Sequence, residues 1–141
     1  MAIGTPWWTG LGLALAVTIL ARVVGFDRDR AFYPTLLLVI ASCYGLFAVM
    51  SGSMSALVTE TVAMTGFLLV AVLGFRANLW FLVAGLLAHG IFDYVHAYLI
   101  PNPGVPAWWS GFCLSYDVMA AACLAVLLGC SRIPARPRAL P

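Results

Sequence analysis

The sequence contains no lysine, and charged residues of any kind fill only 9% of its 141 positions. An average soluble domain carries roughly 25%. With 64% hydrophobic residues, a water-soluble globule of this length would lack the polar surface to cover its core. Lipid is the solvent that the composition calls for. Seven arginines against five acids give a net charge of +2. They form no basic stripe interleaved with aromatics, which leaves nucleic-acid binding without support. No C-x-x-C pair is present, and Cys43, Cys113, Cys123 and Cys130 all lie in apolar runs, so they read as buried small hydrophobes. The H-E-x-x-H pattern is absent. Ser51, Ser53 and Ser55 have no readable His/Asp pairing, so nothing supports a serine nucleophile. The first apolar run, WWTGLGLALAVTIL, lacks a basic leader and a small-residue cleavage site and reads as a retained helix.

What the chain does have is five apolar runs, each long enough to span about 30 Å of hydrocarbon. They cover approximately 7–25, 33–50, 55–74, 78–100 and 109–130. The expected architecture is an all-α, polytopic membrane helical bundle with five transmembrane helices, forming a single transmembrane domain over 1–141. The breaks GFDRDRAF, SGSMS, GFRAN and PNPGVPAWW are short, which predicts antiparallel neighbours packed side by side. Arg22, Arg28, Arg30, Arg76, Arg132, Arg136 and Arg138 all fall at the first break, the third break or the tail. With five spans, those regions share one side. The positive-inside rule makes that side cytoplasmic, with the N-terminus outside and the C-terminus inside. Trp7, Trp8, Trp108 and Trp109 then mark the outer interface, and Trp80 the inner one.

Against this background, LLAHGIFDYVHAYLI is anomalous. At about 100° per residue, His89, Asp93 and His96 lie within about 60° of one another on one helix face. An aspartate costs roughly 2.5–3.5 kcal/mol at mid-membrane, so that face is expected to look into the bundle. Counting about 1.5 Å per residue from the outer boundary puts His89, Asp93, His96, Glu60, Asp117 and Tyr44 in one layer, roughly 6–16 Å deep. The sequence offers no arginine at that depth to balance three carboxylates. Protonated acids, histidinium partners or a bound cation remain. Two histidines with two or three carboxylates suit a divalent metal (zinc, iron or manganese), with His89, Asp93, His96, Glu60 and Asp117 as candidate ligands. Glu60 and Asp117 are also candidate catalytic groups, since a carboxylate outside the ligand set can act as a general base. Tyr44 and Tyr116 are candidate hydrogen-bond donors in the same pocket. The plainer alternative is that these groups brace the bundle by hydrogen bonds. PNPGVPAWW reads either as a stiff lid over the polar layer or as a plain interfacial turn. FDRDRAF reads as a solvated loop with local ion pairs.

The segments DRAFYPTLLLVIAS, then Glu60, HGIFDYVH and VPAWWSGFCLSYD resemble a family of small bacterial integral membrane proteins of unknown function. Its members carry H-G-x-x-D-x-x-H and V-P-x-W…F-C-x-x-x-D segments in the same order. The resemblance covers most of residues 27 to 128. It implies that Glu60, His89, Asp93, His96 and Asp117 form one functional set in the bacterial cytoplasmic (inner) membrane. The ceramidase-like membrane hydrolases also hold zinc on helix-borne His and Asp, but with more spans and three histidines, where this chain has two. The sterol-isomerase-like bundles share the size but no motif. The functional expectation is a metal-binding protein of the bilayer, an enzyme acting on a lipid or hydrophobic substrate. The alternatives are an accessory subunit of a larger membrane complex or homo-oligomer, and a proton- or ion-coupled carrier.

Overall fold

The computed structural model describes residues 4–28 and 30–137; Asp29 and Arg138 of the arginine-rich segments lie outside them. Five helices follow one another: α1 (Thr5–Val24), α2 (Phe32–Met50), α3 (Met54–Arg76), α4 (Trp80–Leu99) and α5 (Trp109–Gly129). Every boundary falls within two residues of its sequence expectation. All five are long and apolar enough to cross a membrane. Local signals explain several ends. Pro6 stands in the first turn of α1, where its missing N–H costs nothing. Ser53 caps α3 by accepting a hydrogen bond from the Ala56 amide at 3.3 Å.

The order of the helices in space is not their order in the chain. α4 packs against α3, α2 and α5, and α5 in turn holds α1. The adjacency expected between α1 and α2 is corrected here: the extensive contact of α1 is with α5. The connection over residues 25–31 lets α1 pass beyond its sequence neighbour. The reason is side-chain size. Gly10, Ala14, Thr18 and Ala21 form a buried stripe of small residues down one side of α1, and such a stripe lets two backbones approach closely. At Gly10 the approach is extreme, since a β-carbon there would collide with Ser115 Oγ and the Phe112 carbonyl. Near Gly111, a β-carbon would meet the Trp7 indole. The two contacts run in the same chain direction, so α1 and α5 are parallel.

The arginine end differs from its expectation as a solvated loop. Asp27 is buried and pairs with Arg22 at 3.3 Å. Arg30, also buried, donates to the carbonyls of Pro134 at 2.6 Å and of Phe75 at 2.9 Å. It sits at φ 73°, an uncommon conformation for a residue with a side chain. Burial lowers the Arg30 pKa from its ordinary value. The guanidinium thereby caps the C-terminal end of α3, where helix carbonyls lack partners and a positive charge is favoured. The tail is drawn in beside it through the Leu79 amide on the Ala135 carbonyl at 2.9 Å and the buried Ile133.

The central position of α4 decides where a site can form, because this helix packs against α2, α3 and α5. Gly10→Ala should lower stability by about 1–3 kcal/mol through overpacking, read as an earlier melting transition in detergent. Gly12→Ala, with open space around it, should leave that transition unchanged or raise it.

Candidate metal centre

His89, Asp93 and His96 stand on the buried face of α4 as the helical spacing requires, and all three are essentially inaccessible. Each meets a residue from a different helix. From α5, Asp117 Oδ2 lies 2.7 Å from His89 Nδ1. From α2, the Tyr44 hydroxyl donates to Asp93 Oδ1 at 2.5 Å. From α3, Glu60 Oε1 lies 2.7 Å from His96 Nε2. The convergence inferred from depth along separate helices is therefore present in three dimensions.

The six groups do not form one cluster. His89, Asp93 and Asp117 come together tightly enough that one ligand atom from each lies within 4.8 Å of the others. Glu60 and His96 instead pair with each other, and Tyr44 stands between the two sets. Its ring stacks on His96 with centroids 4.0 Å apart, while its hydroxyl belongs to Asp93. Tyr116 packs beside Phe112 in the apolar core; among the described residues, no hydrogen bond joins it to either set.

One residue of this site was not singled out from the sequence. Asn102, between two prolines in the α4–α5 connection, donates to Glu60 Oε1 at 2.8 Å and to the Tyr44 carbonyl at 3.1 Å. Its own carbonyl accepts the Gly104 amide at 3.2 Å. Gly104 lies so close to the Phe47 carbonyl that a β-carbon has no room there. Of the two readings of PNPGVPAWW, the structure bears out the lid: Asn102 pins the connection over Glu60 and Tyr44. A lone amide in a proline-rich segment was the available signal.

The trio poses an electrostatic problem. Two carboxylates approach a single imidazole nitrogen, with Asp93 Oδ2 3.3 Å from His89 Nδ1 and Asp117 Oδ2 at 2.7 Å. One N–H cannot serve both. Asp93 Oδ2, Asp117 Oδ1 and His89 Nε2 are buried without a hydrogen-bond partner, a cost of about 1–3 kcal/mol for each group left so. A proton or a cation is needed between the carboxylates. The donor set of one imidazole nitrogen and two carboxylate oxygens suits zinc, iron or manganese. One turn below His89, Gly85 packs against Val70 and Leu37, so the polar layer ends on an apolar floor.

Comparison with known proteins returns no match among family models, curated proteins or solved structures.

The lid and the site are mechanically linked through Asn102. Asn102→Ala should accelerate amide hydrogen exchange over residues 101–107 by about tenfold, the equivalent of about 1.4 kcal/mol, with the helices protected as before. Tyr44→Phe, which keeps the stack on His96 and removes only the hydroxyl, should leave that exchange unchanged and cost about 1–3 kcal/mol in global stability.

Proposed function

We propose that this is a metal-binding protein of the bacterial inner membrane, acting on a lipid or other hydrophobic molecule that reaches the site from the bilayer. The observation that carries the reading is the buried trio His89, Asp93 and Asp117, which brings one ligand atom from each within 4.8 Å of the others and leaves one oxygen of each carboxylate without a hydrogen-bond partner. In this reading His89, Asp93 and Asp117 hold a divalent ion, and Tyr44 orients Asp93 by donating to the oxygen that faces away from it. Such hydrogen bonds to ligating carboxylates fix their direction. Three protein ligands leave coordination positions open, the pattern of catalytic rather than structural zinc sites. When bound, such an ion supplies Lewis acidity. Glu60 and His96 then serve as the neighbouring acid–base pair and not as ligands. The resemblance of the HGIFDYVH and FCLSYD segments to a family of small bacterial membrane proteins supports taking these residues as one functional set. Placing the arginine end in the cytoplasm turns the site toward the outer leaflet.

A second reading has its own observation. The two His–carboxylate contacts at 2.7 Å tie α4 to α5 and to α3. That alone would make the chain a braced accessory subunit of a larger complex, with a shared proton in place of the ion. A carrier of protons or ions is favoured less, because the apolar floor at Leu37, Val70 and Gly85 closes the layer from below.

Elemental analysis after washing with a mild chelator separates the readings. Wild-type protein should retain close to one equivalent of zinc, iron or manganese. His89→Ala and Asp117→Asn should lose at least about nine-tenths of it, and His96→Ala should keep most of it. Wild-type protein free of metal would establish the brace instead.

A further inference from the structure

The last turn of α4, the connecting segment and the first turn of α5 enclose an open cavity of about 540 Å³, within the roughly 300–1,000 Å³ of small-molecule sites. Ile100, Val105 and Pro106 contribute apolar walls, and His96, Asn102 and Ser110 the polar positions. Prolines reduce the donors in this lining, to which Ser110 adds a hydroxyl. Three of its residues, Pro101, Pro103 and Pro106, have carbonyls but no amide N–H to offer. The Asn102 amide is spent on Glu60 and Tyr44. His96 Nε2 is engaged by Glu60. In the neutral ring, a carboxylate at Nε2 takes the N–H there and leaves Nδ1 as a lone-pair acceptor. Among the described residues Nδ1 has no hydrogen-bond partner, and it is not among the fully buried partnerless atoms, so it belongs to the small accessible part of a residue that lines the cavity.

Charge points the same way. The segments at this end, residues 4–16, 45–65 and 86–118, contain no arginine or lysine, yet Glu60, Asp93 and Asp117 all lie within them. An anionic head group would find no counter-charge and few donors. We propose that the cavity is a binding site for the protonated primary amine of an amphiphile. In this site the ammonium N–H donates to His96 Nδ1, Glu60 supplies the opposing charge through the ring, and the apolar walls take the first carbons of the tail. This names the substrate class for the hydrophobic molecule proposed above. It rests on that part of the reading and not on the metal.

The test uses full-length protein in one detergent, labelled with 15N-histidine so that only two imidazoles are seen. It is titrated with dodecylamine, dodecanol, dodecyl phosphate and butylamine. Dodecylamine should saturate and shift the His96 ring signals while His89 stays in place. It should bind at least about tenfold more tightly than each of the other three. Ala97→Phe, which fills the cavity and leaves the His96–Glu60 contact alone, should weaken binding at least about tenfold. The metal-free Asp117→Asn protein should bind dodecylamine as wild type does. Equal binding of dodecanol or of the phosphate, a shift on His89 alone, or undiminished binding by Ala97→Phe would overturn the proposal. Butylamine binding as tightly as dodecylamine would overturn the amphiphile. Loss of binding in Asp117→Asn alone would overturn the independence of the two sites.

Discussion

At the centre of this bundle's polar layer is one imidazole shared by two carboxylates. His89 on α4 stands between Asp117 of α5 and Asp93 one turn further along its own helix. Inside an apolar bundle, such an arrangement is expensive unless a positive charge resides within it. That requirement shapes the fold around it. α4 must sit at the centre so that three helices can reach its polar face. α5 must approach closely enough to deliver Asp117, and α2 must offer Tyr44 at the same level to hold Asp93. A proton would satisfy the charge alone; a divalent ion would also engage the carboxylate oxygens that have no donor.

The two ends of the bundle solve opposite problems. At one end, charge is compensated by arginines that close the structure on itself. Arg30 takes up the last carbonyls of α3 together with the tail, and Arg22 neutralises the buried Asp27. At the other end no arginine is available, and three acids are arranged around two histidines, a tyrosine and an asparagine. The first end is tied together by an ion pair and by guanidinium bonds to carbonyls, whereas the second retains orphan oxygens and an open cavity. Arginine pairing and the His–carboxylate layer are thus segregated along the length of the molecule, and the proline-rich connection covers only the second.

Much of this was legible in the chain. Helix boundaries followed from hydropathy and from the Gly, Pro and Ser breaks, because length and apolarity alone decide a span. The facing of His89, Asp93 and His96 followed from the 3.6-residue period, and the shared depth of Glu60, Asp117 and Tyr44 followed from counting residues. Two things were not legible. Helix neighbours depend on side-chain volume at individual positions. Nothing in the short connection to α2 announces that Gly10 will draw α1 onto α5. The division of the polar layer into a trio and a pair depends on rotation and on the ring of Tyr44, which neither depth nor face specifies. FDRDRAF misled for a related reason: alternating charges look solvated until the carbonyls of another helix end and of the tail are brought against them.

The central claim is that the positive charge in the trio is a metal ion held by one imidazole and two carboxylates. X-ray absorption at the edge of whichever metal co-purifies tests it most directly. The account predicts a shell of light atoms at about 2.0–2.2 Å with scattering from a single imidazole, lost in Asp117→Asn and retained in His96→Ala. A sulfur shell from Cys113, which lies one turn before Asp117, would contradict it. So would scattering from two imidazoles, or protein that carries no metal at all.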